Sequence, residues 1–180
     1  DSLKKVLTIA KTDTDKVNTL IALSDASPLI DSINKAGYAR EALQIAERIN
    51  WGKGIITANI RLSTICKVCN NNYLNALAYA ENAAAAARKI GDKTSEAYAV
   101  NEIANHYLQL SQYRKALEYY KRVLDLNADA NLELSVLTNM GVAYTNVDDY
   151  MRALVFYDSA LRQLNKLIRE SKYSDKNDTA

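Results

Sequence analysis

The chain has 180 residues, 48% hydrophobic and 24% charged, with one Pro and five Gly. That composition is globular, and it has too few turn formers for a sandwich or barrel, so the chain reads as all-α. Lys and Arg (23) nearly balance Asp and Glu (21) for a net charge of +2, which leaves no electrostatic footprint for nucleic acid or an anionic membrane. No stretch approaches 18 uninterrupted apolar residues, so no membrane span is expected within this segment. The chain starts at Asp1 without Met or signal peptide, which predicts a processed product or an excised segment.

"SLKKVLTIA" places Leu3, Val6, Leu7 and Ala10 on one face. It predicts a short amphipathic capping helix within residues 1–13. Residues 14–50 form a first pair of helices. "DKVNTLIALSDAS" carries Leu20, Leu23 and Ser24 until Pro28 interrupts, and "AREALQIAERIN" carries Ala39, Ala42, Ala46 and Ile49. Trp51, beside Gly52, is expected to anchor the junction with the next pair. Residues 51–90 repeat the plan. "ITANIRLSTICKVC" offers Leu62, Ser63 and Cys66, and "NNNYLNALAYAENAAAAARKI" offers Tyr73, Ala76, Ala80 and Ala83. In residues 91–127, Gly91-Asp92 punctuates the chain and Thr94 or Ser95 is expected to cap the helix. Ala97, Val100, Ile103, Ala104, Tyr107 and Leu108 follow at helical spacing. After Ser111-Gln112 a second helix shows Tyr113, Ala116, Leu117, Tyr120, Val123 and Leu124. Residues 128–171 hold a fourth pair whose last helix is prolonged to about Ser171. Residues 172–180 are a polar tail expected to fray.

The third and fourth pairs echo each other. Val100, Ile103, Ala104 and Tyr107 stand 37 residues before Leu137, Met140, Gly141 and Tyr144. Tyr113, Ala116, Tyr120 and Val123 stand 37 before Tyr150, Ala153, Tyr157 and Ala160. Such a period marks stacked supersecondary units. The alternation of small and large residues sets helix packing: Ala104 and Ala116 allow close approach, and Tyr107 and Tyr113 fill the space beside it. The key alanines Ala42, Ala76, Ala116 and Ala153 are spaced 34, 40 and 37, so helix lengths vary between units.

"NMGVAYTNVDDYMRALVFYDSAL" (Asn139 to Leu161) resembles the tetratricopeptide repeat, and the third unit matches well with Ala104 where that family favours Gly. The second unit departs at Ser63 and Cys66, and the closing Pro is absent throughout. The resemblance covers about residues 15–170. It implies a right-handed superhelix of antiparallel helix pairs, one solenoid domain used as a non-catalytic binding scaffold for a protein or peptide. "DTDKVNTLIALSDAS", "AREALQIAERI" and the Gly-Lys-Gly that follows are similar to sensor regions of bacterial signalling proteins of histidine kinase or cyclase type. Those regions follow an export signal, which implies a periplasmic or extracytoplasmic location ahead of a cytoplasmic one.

No phosphate loop or nucleophile motif occurs, so no catalytic residue and no cofactor are expected. The one histidine, His106, is expected at the surface or in the groove. "CKVC" (Cys66, Cys69) falls near a helix C-terminus, where the dipole disfavours a thiolate. A zinc site would lack two ligands, so both cysteines are read as packing residues, and whether they are bridged is left open.

In the superhelix the first helices line the concave side. The register projects Asn18, Ile21, Asp25, Arg61, Thr64, Lys67, Tyr98, Asn101, Asn105, Thr138 and Val142 onto it. Asn amides suit a peptide backbone, and Arg or Lys suits a carboxylate. Ile21 and Asp25 stand where the carboxylate-clamp members of the family need Lys and Asn, so that clamp is not expected. The alternative is a homodimer through the exposed end of the stack, with Leu161, Leu164 and Ile168 as its contacts.

Overall fold

The computed structural model describes residues 2–28, 31–70, 72–126 and 129–177. Among the described residues lie nine α-helices and no strand. They are α1 (Ser2–Ile9), α2 (Asp13–Ala26), α3 (Ser32–Arg48), α4 (Gly52–Asn70), α5 (Tyr73–Ile90), α6 (Lys93–Gln109), α7 (Tyr113–Asp125), α8 (Ala130–Thr145) and α9 (Tyr150–Asn177). Each packs on the next. Appreciable contacts that skip one helix occur between α2 and α4 and between α6 and α8. The first helices of the pairs therefore form the inner layer and the second helices the outer one.

Short polar side chains start these helices. Thr12 caps α2 in a capping box with Asp15, and Asp31, Asn72, Asp92 and Asp129 cap α3, α5, α6 and α8. The cap of α6 is thus Asp92, not Thr94 or Ser95. The Asp92 carboxylate accepts from the Ser95 backbone N–H, and these Ser95 bonds hold its pKa below the usual range. Helices end in left-handed residues at Asn50, Gly91, Ser111 and Asp148. There the next residue's N–H returns to a carbonyl one turn back: Trp51 to Ala46, Asp92 to Ala87, Gln112 to Tyr107 and Asp149 to Tyr144. α2 instead ends at Ala26, just before Pro28. α9 runs to Asn177 rather than stopping near Ser171, because no Gly or Pro intervenes to break it.

The core follows the small–large plan. Ala42, Ala76, Ala104, Ala116 and Ala153 are buried, and Tyr120 and Val123 lie fully inside. One cluster spans α5 to α9, and two smaller ones hold α2 to α4 together. Trp51 joins Ala46 and Ile55 in one of these, and a Cβ on Gly54 would meet its ring at 2.4 Å. Cys69 packs against the Ala36, Ala39, Leu62 and Ile65 cluster, burial raises the Cys66 pKa, and the two form no disulfide.

An aromatic pair recurs at the repeat period. Tyr107 stacks on Tyr119 (centroids 5.3 Å apart) with Lys115 over Tyr107, and Tyr144 stacks on Phe156 (5.2 Å) with Arg152 over Tyr144. Each such pair adds about 0.5–1.5 kcal/mol beyond its buried area.

Candidate functional site

The inner wall formed by α4, α6 and α8 carries a chain of polar contacts. Lys67 Nζ on α4 donates to Glu102 Oε2 on α6 at 3.0 Å. Asn105 Nδ2 donates to Glu102 Oε1 at 3.3 Å. Asn105 Oδ1 accepts from the Tyr120 hydroxyl of α7 at 2.7 Å and from Asn139 Nδ2 of α8 at 3.1 Å. Burial pushes the Tyr120 phenol far above its usual pKa, so it stays a neutral donor. Above this chain opens a cavity of about 380 Å³ lined by Lys67, Tyr73, Asn105, Leu108, Gln109 and Asn139. Two amides, an amide–carboxylate–ammonium relay and an apolar shoulder thus converge on one depression.

Several projected groove residues are already engaged. Arg61 Nε lies 2.7 Å from Asp25 Oδ1, close in distance though off-line for a hydrogen bond. Its charge is therefore matched within the chain. The Tyr98 hydroxyl donates to Asp129 Oδ2 at 2.6 Å, which keeps the Asp129 pKa low. Thr64 and Thr138 bond to carbonyls of their own helices. Asn18 is exposed and Val142 half-buried. Ile21 belongs to the core rather than the groove. Asn101 is also not on the open face: it is 6% exposed.

Glu102 and Asn139 were missed by the sequence register, yet they carry the same period, one residue round the helix from Asn101 and Thr138. Lys67 and Asn105 line the cavity and Thr138 is exposed, whereas Asn101, on the same turn of α6 as Glu102, faces inward.

No family model matches the chain, and no curated protein matches it in sequence. The likeness lies in the structure. BtubC (BKLC) from P. vanneervenii superposes with a TM-score of 0.77 at 18% identity, over 92% of this chain and 70% of that one. A Signal Transduction ATPase with Numerous Domains (STAND) protein with a tetratricopeptide repeat sensor, from Pyrococcus horikoshii, superposes at 0.80 and 20% identity, over 96% of this chain. The fold is that of a tetratricopeptide repeat solenoid. This chain spans 27% of the length of the STAND protein.

Within the tetratricopeptide frame, His106 is not at the surface or in the groove. It is fully buried behind the wall. Ser63 Oγ donates to the Ala76 carbonyl at 2.9 Å and lies 2.8 Å from His106 Nε2. Ser63 has one proton to give, so Nε2 carries the proton between them and Nδ1 is left as a buried acceptor without a partner. Ser63 is itself buried. The pair is shut off from any substrate and acts as a polar pin between α4, α5 and α6. Among the described residues no group of three His, Cys, Asp or Glu side chains could hold a metal, and no helix is long and apolar enough to cross a membrane.

Proposed function

We propose that the chain is a non-catalytic tetratricopeptide scaffold that binds a protein or peptide in its concave groove, as the sensory or assembly region of a bacterial signalling protein. The observation that carries this reading is the depression between α4, α6 and α8. Lys67 is neutralised by Glu102 and Arg61 by Asp25, so the wall offers hydrogen bonds without net charge. That chemistry suits an extended peptide main chain, with Tyr73 and Leu108 receiving an apolar side chain. It favours backbone recognition over the acidic partner that an unpaired Arg61 would select. The sensor in the similar STAND protein supports the signalling context.

The test is selection of a displayed random peptide library on the wild-type chain, followed by titration against Lys67→Ala/Gln109→Ala. Both side chains line the cavity. Losing a neutral and a charged hydrogen bond costs about 2 kcal/mol or more, so selected peptides should bind the variant at least about tenfold more weakly. Peptides that bind both proteins equally would place recognition elsewhere.

A second reading, docking through the end of the stack, is favoured by the apolar face of α9, where Leu161, Leu164 and Ile168 are exposed.

A further inference from the structure

The depression between α4, α6 and α8 has an ionisable side chain behind it. Tyr73 lines the depression, and its ring lies 6.3 Å from that of His106, which is fully buried. His106 Nε2 is committed to Ser63, and Nδ1 is a buried acceptor without a partner. A second proton on the ring, at Nδ1, needs an acceptor and a counter-charge. Glu102 can supply both. It stands one turn before His106 on α6, the spacing at which helix side chains meet.

That carboxylate is already in use. Lys67 Nζ donates to it at 3.0 Å and Asn105 Nδ2 at 3.3 Å. The groups around the ring are therefore few. Burial and the Lys67 ammonium from α4 oppose a charged ring, and Glu102 on its own helix favours one. The Tyr73 phenol belongs to α5, Tyr120 of α7 donates to Asn105, and α8 brings the uncharged Asn139. With the ring neutral, Lys67 and Glu102 cancel. With the ring protonated, one carboxylate faces two cations and the group carries a net positive charge, however far Glu102 turns. Lys67 lines the cavity and His106 does not, so Lys67 presents that charge to a partner.

We propose that the depression is proton-gated: with His106 neutral it holds an uncharged main-chain segment, and with His106 protonated Glu102 turns to the ring and the released Lys67 holds an Asp or Glu side chain of the peptide. The proposal rests on the groove reading above, and it names a second class of partner for the same site. A carboxylate on an unshared ammonium makes a charge-assisted bond, which the paired Lys67 of the neutral state offers far less well.

The test selects a histidine-free displayed peptide library on the 180-residue chain at about pH 7.5 and at about pH 5, where Asp and Glu of the peptides stay mostly ionised. Peptides from the lower pH are expected to be rich in Asp and Glu, and to bind at least about tenfold more weakly at the higher pH. The chain has one histidine, so its imidazole NMR signals report the gate in the wild type. By reciprocity, an acidic peptide favoured about tenfold by the protonated ring moves the His106 titration midpoint up by about one pH unit. Glu102→Gln, which frees Lys67 without a proton, should bind these peptides at about pH 7.5 as tightly as the wild type does at about pH 5. If that variant misfolds, the wild-type titration decides. A lower-pH selection without Asp or Glu enrichment, acidic peptides that bind equally at both pH values, or a His106 midpoint that they leave in place overturns the proposal. In that event, higher-pH peptides that are lost in Lys67→Ala/Gln109→Ala keep the groove reading and remove the gate. Peptides from neither pH that depend on Lys67 and Gln109 remove both.

Discussion

At the scale of single residues, His106 couples the polar wall to pH. Burial is the leading influence and lowers its pKa, Glu102 on the same helix pulls the other way, and Lys67 from α4 adds to the lowering. The Tyr73 ring packs at 6.3 Å from the α5 side. The unfolded chain takes up this proton near the usual value of about 6.5, while the folded chain resists it. Below that pH the unfolded state binds more protons, so stability falls as pH falls and is complete above it. The melting temperature should drop between about pH 7.5 and 5.5, and His106→Gln should flatten that part of the curve while still donating to Ser63. Wild-type and variant melting curves with equal pH slopes would show that His106 contributes nothing to the dependence. This residue also marks the limit of reading the sequence. A histidine flanked by Asn105 and Tyr107 looks like a surface residue, and only the three-dimensional approach of Ser63 across 43 positions reveals the buried pin. The pairing of Arg61 with Asp25, the burial of Asn101 and the place of Glu102 and Asn139 in the polar chain are hidden for the same reason: they depend on how neighbouring helices meet.

At the scale of elements, the caps and turns carry the plan. Ser111 and Asp148 occupy matching turns 37 residues apart, with φ of 57° and 58°. Gly91 does the same job at 73° without a side chain to strain. A left-handed L-residue costs about 1–2 kcal/mol, and glycine returns about 0.5–1 kcal/mol of entropy to the unfolded chain. Ser111→Gly should therefore raise stability by about 0.5–1 kcal/mol, seen as a higher urea midpoint, and Gly91→Ser should lower it. A lower midpoint for Ser111→Gly would reveal a bond made by the serine side chain. The element order was legible because the alanines and tyrosines recur in fixed register. The end of α9 was not, because a polar stretch without Gly or Pro gives no stop signal, and its residues read equally well as tail or helix. The cap of α6 is ambiguous in the sequence because Asp92, Thr94 and Ser95 are all good cap formers, and Asp92 takes the place.

At the scale of the whole molecule, stability accumulates pair by pair. The core is divided: α2 to α4 are held by two small clusters and α5 to α9 by a larger one. Trp51, the one tryptophan, sits in the smaller part. Its fluorescence should therefore report unfolding at lower urea than far-ultraviolet circular dichroism, which averages every helix. Coincident transitions would mean that the solenoid melts as one cooperative unit. The length of α9 has a mechanical meaning. With 28 residues against 16 in α8, it extends about 18 Å past the helix that seats it. It is a lever arm with its fulcrum in the last pair. A tilt of about 10° at that fulcrum sweeps the far tip, about 18 Å away, through about 3 Å, so an adjustment the groove would barely register becomes a clear displacement at the other end.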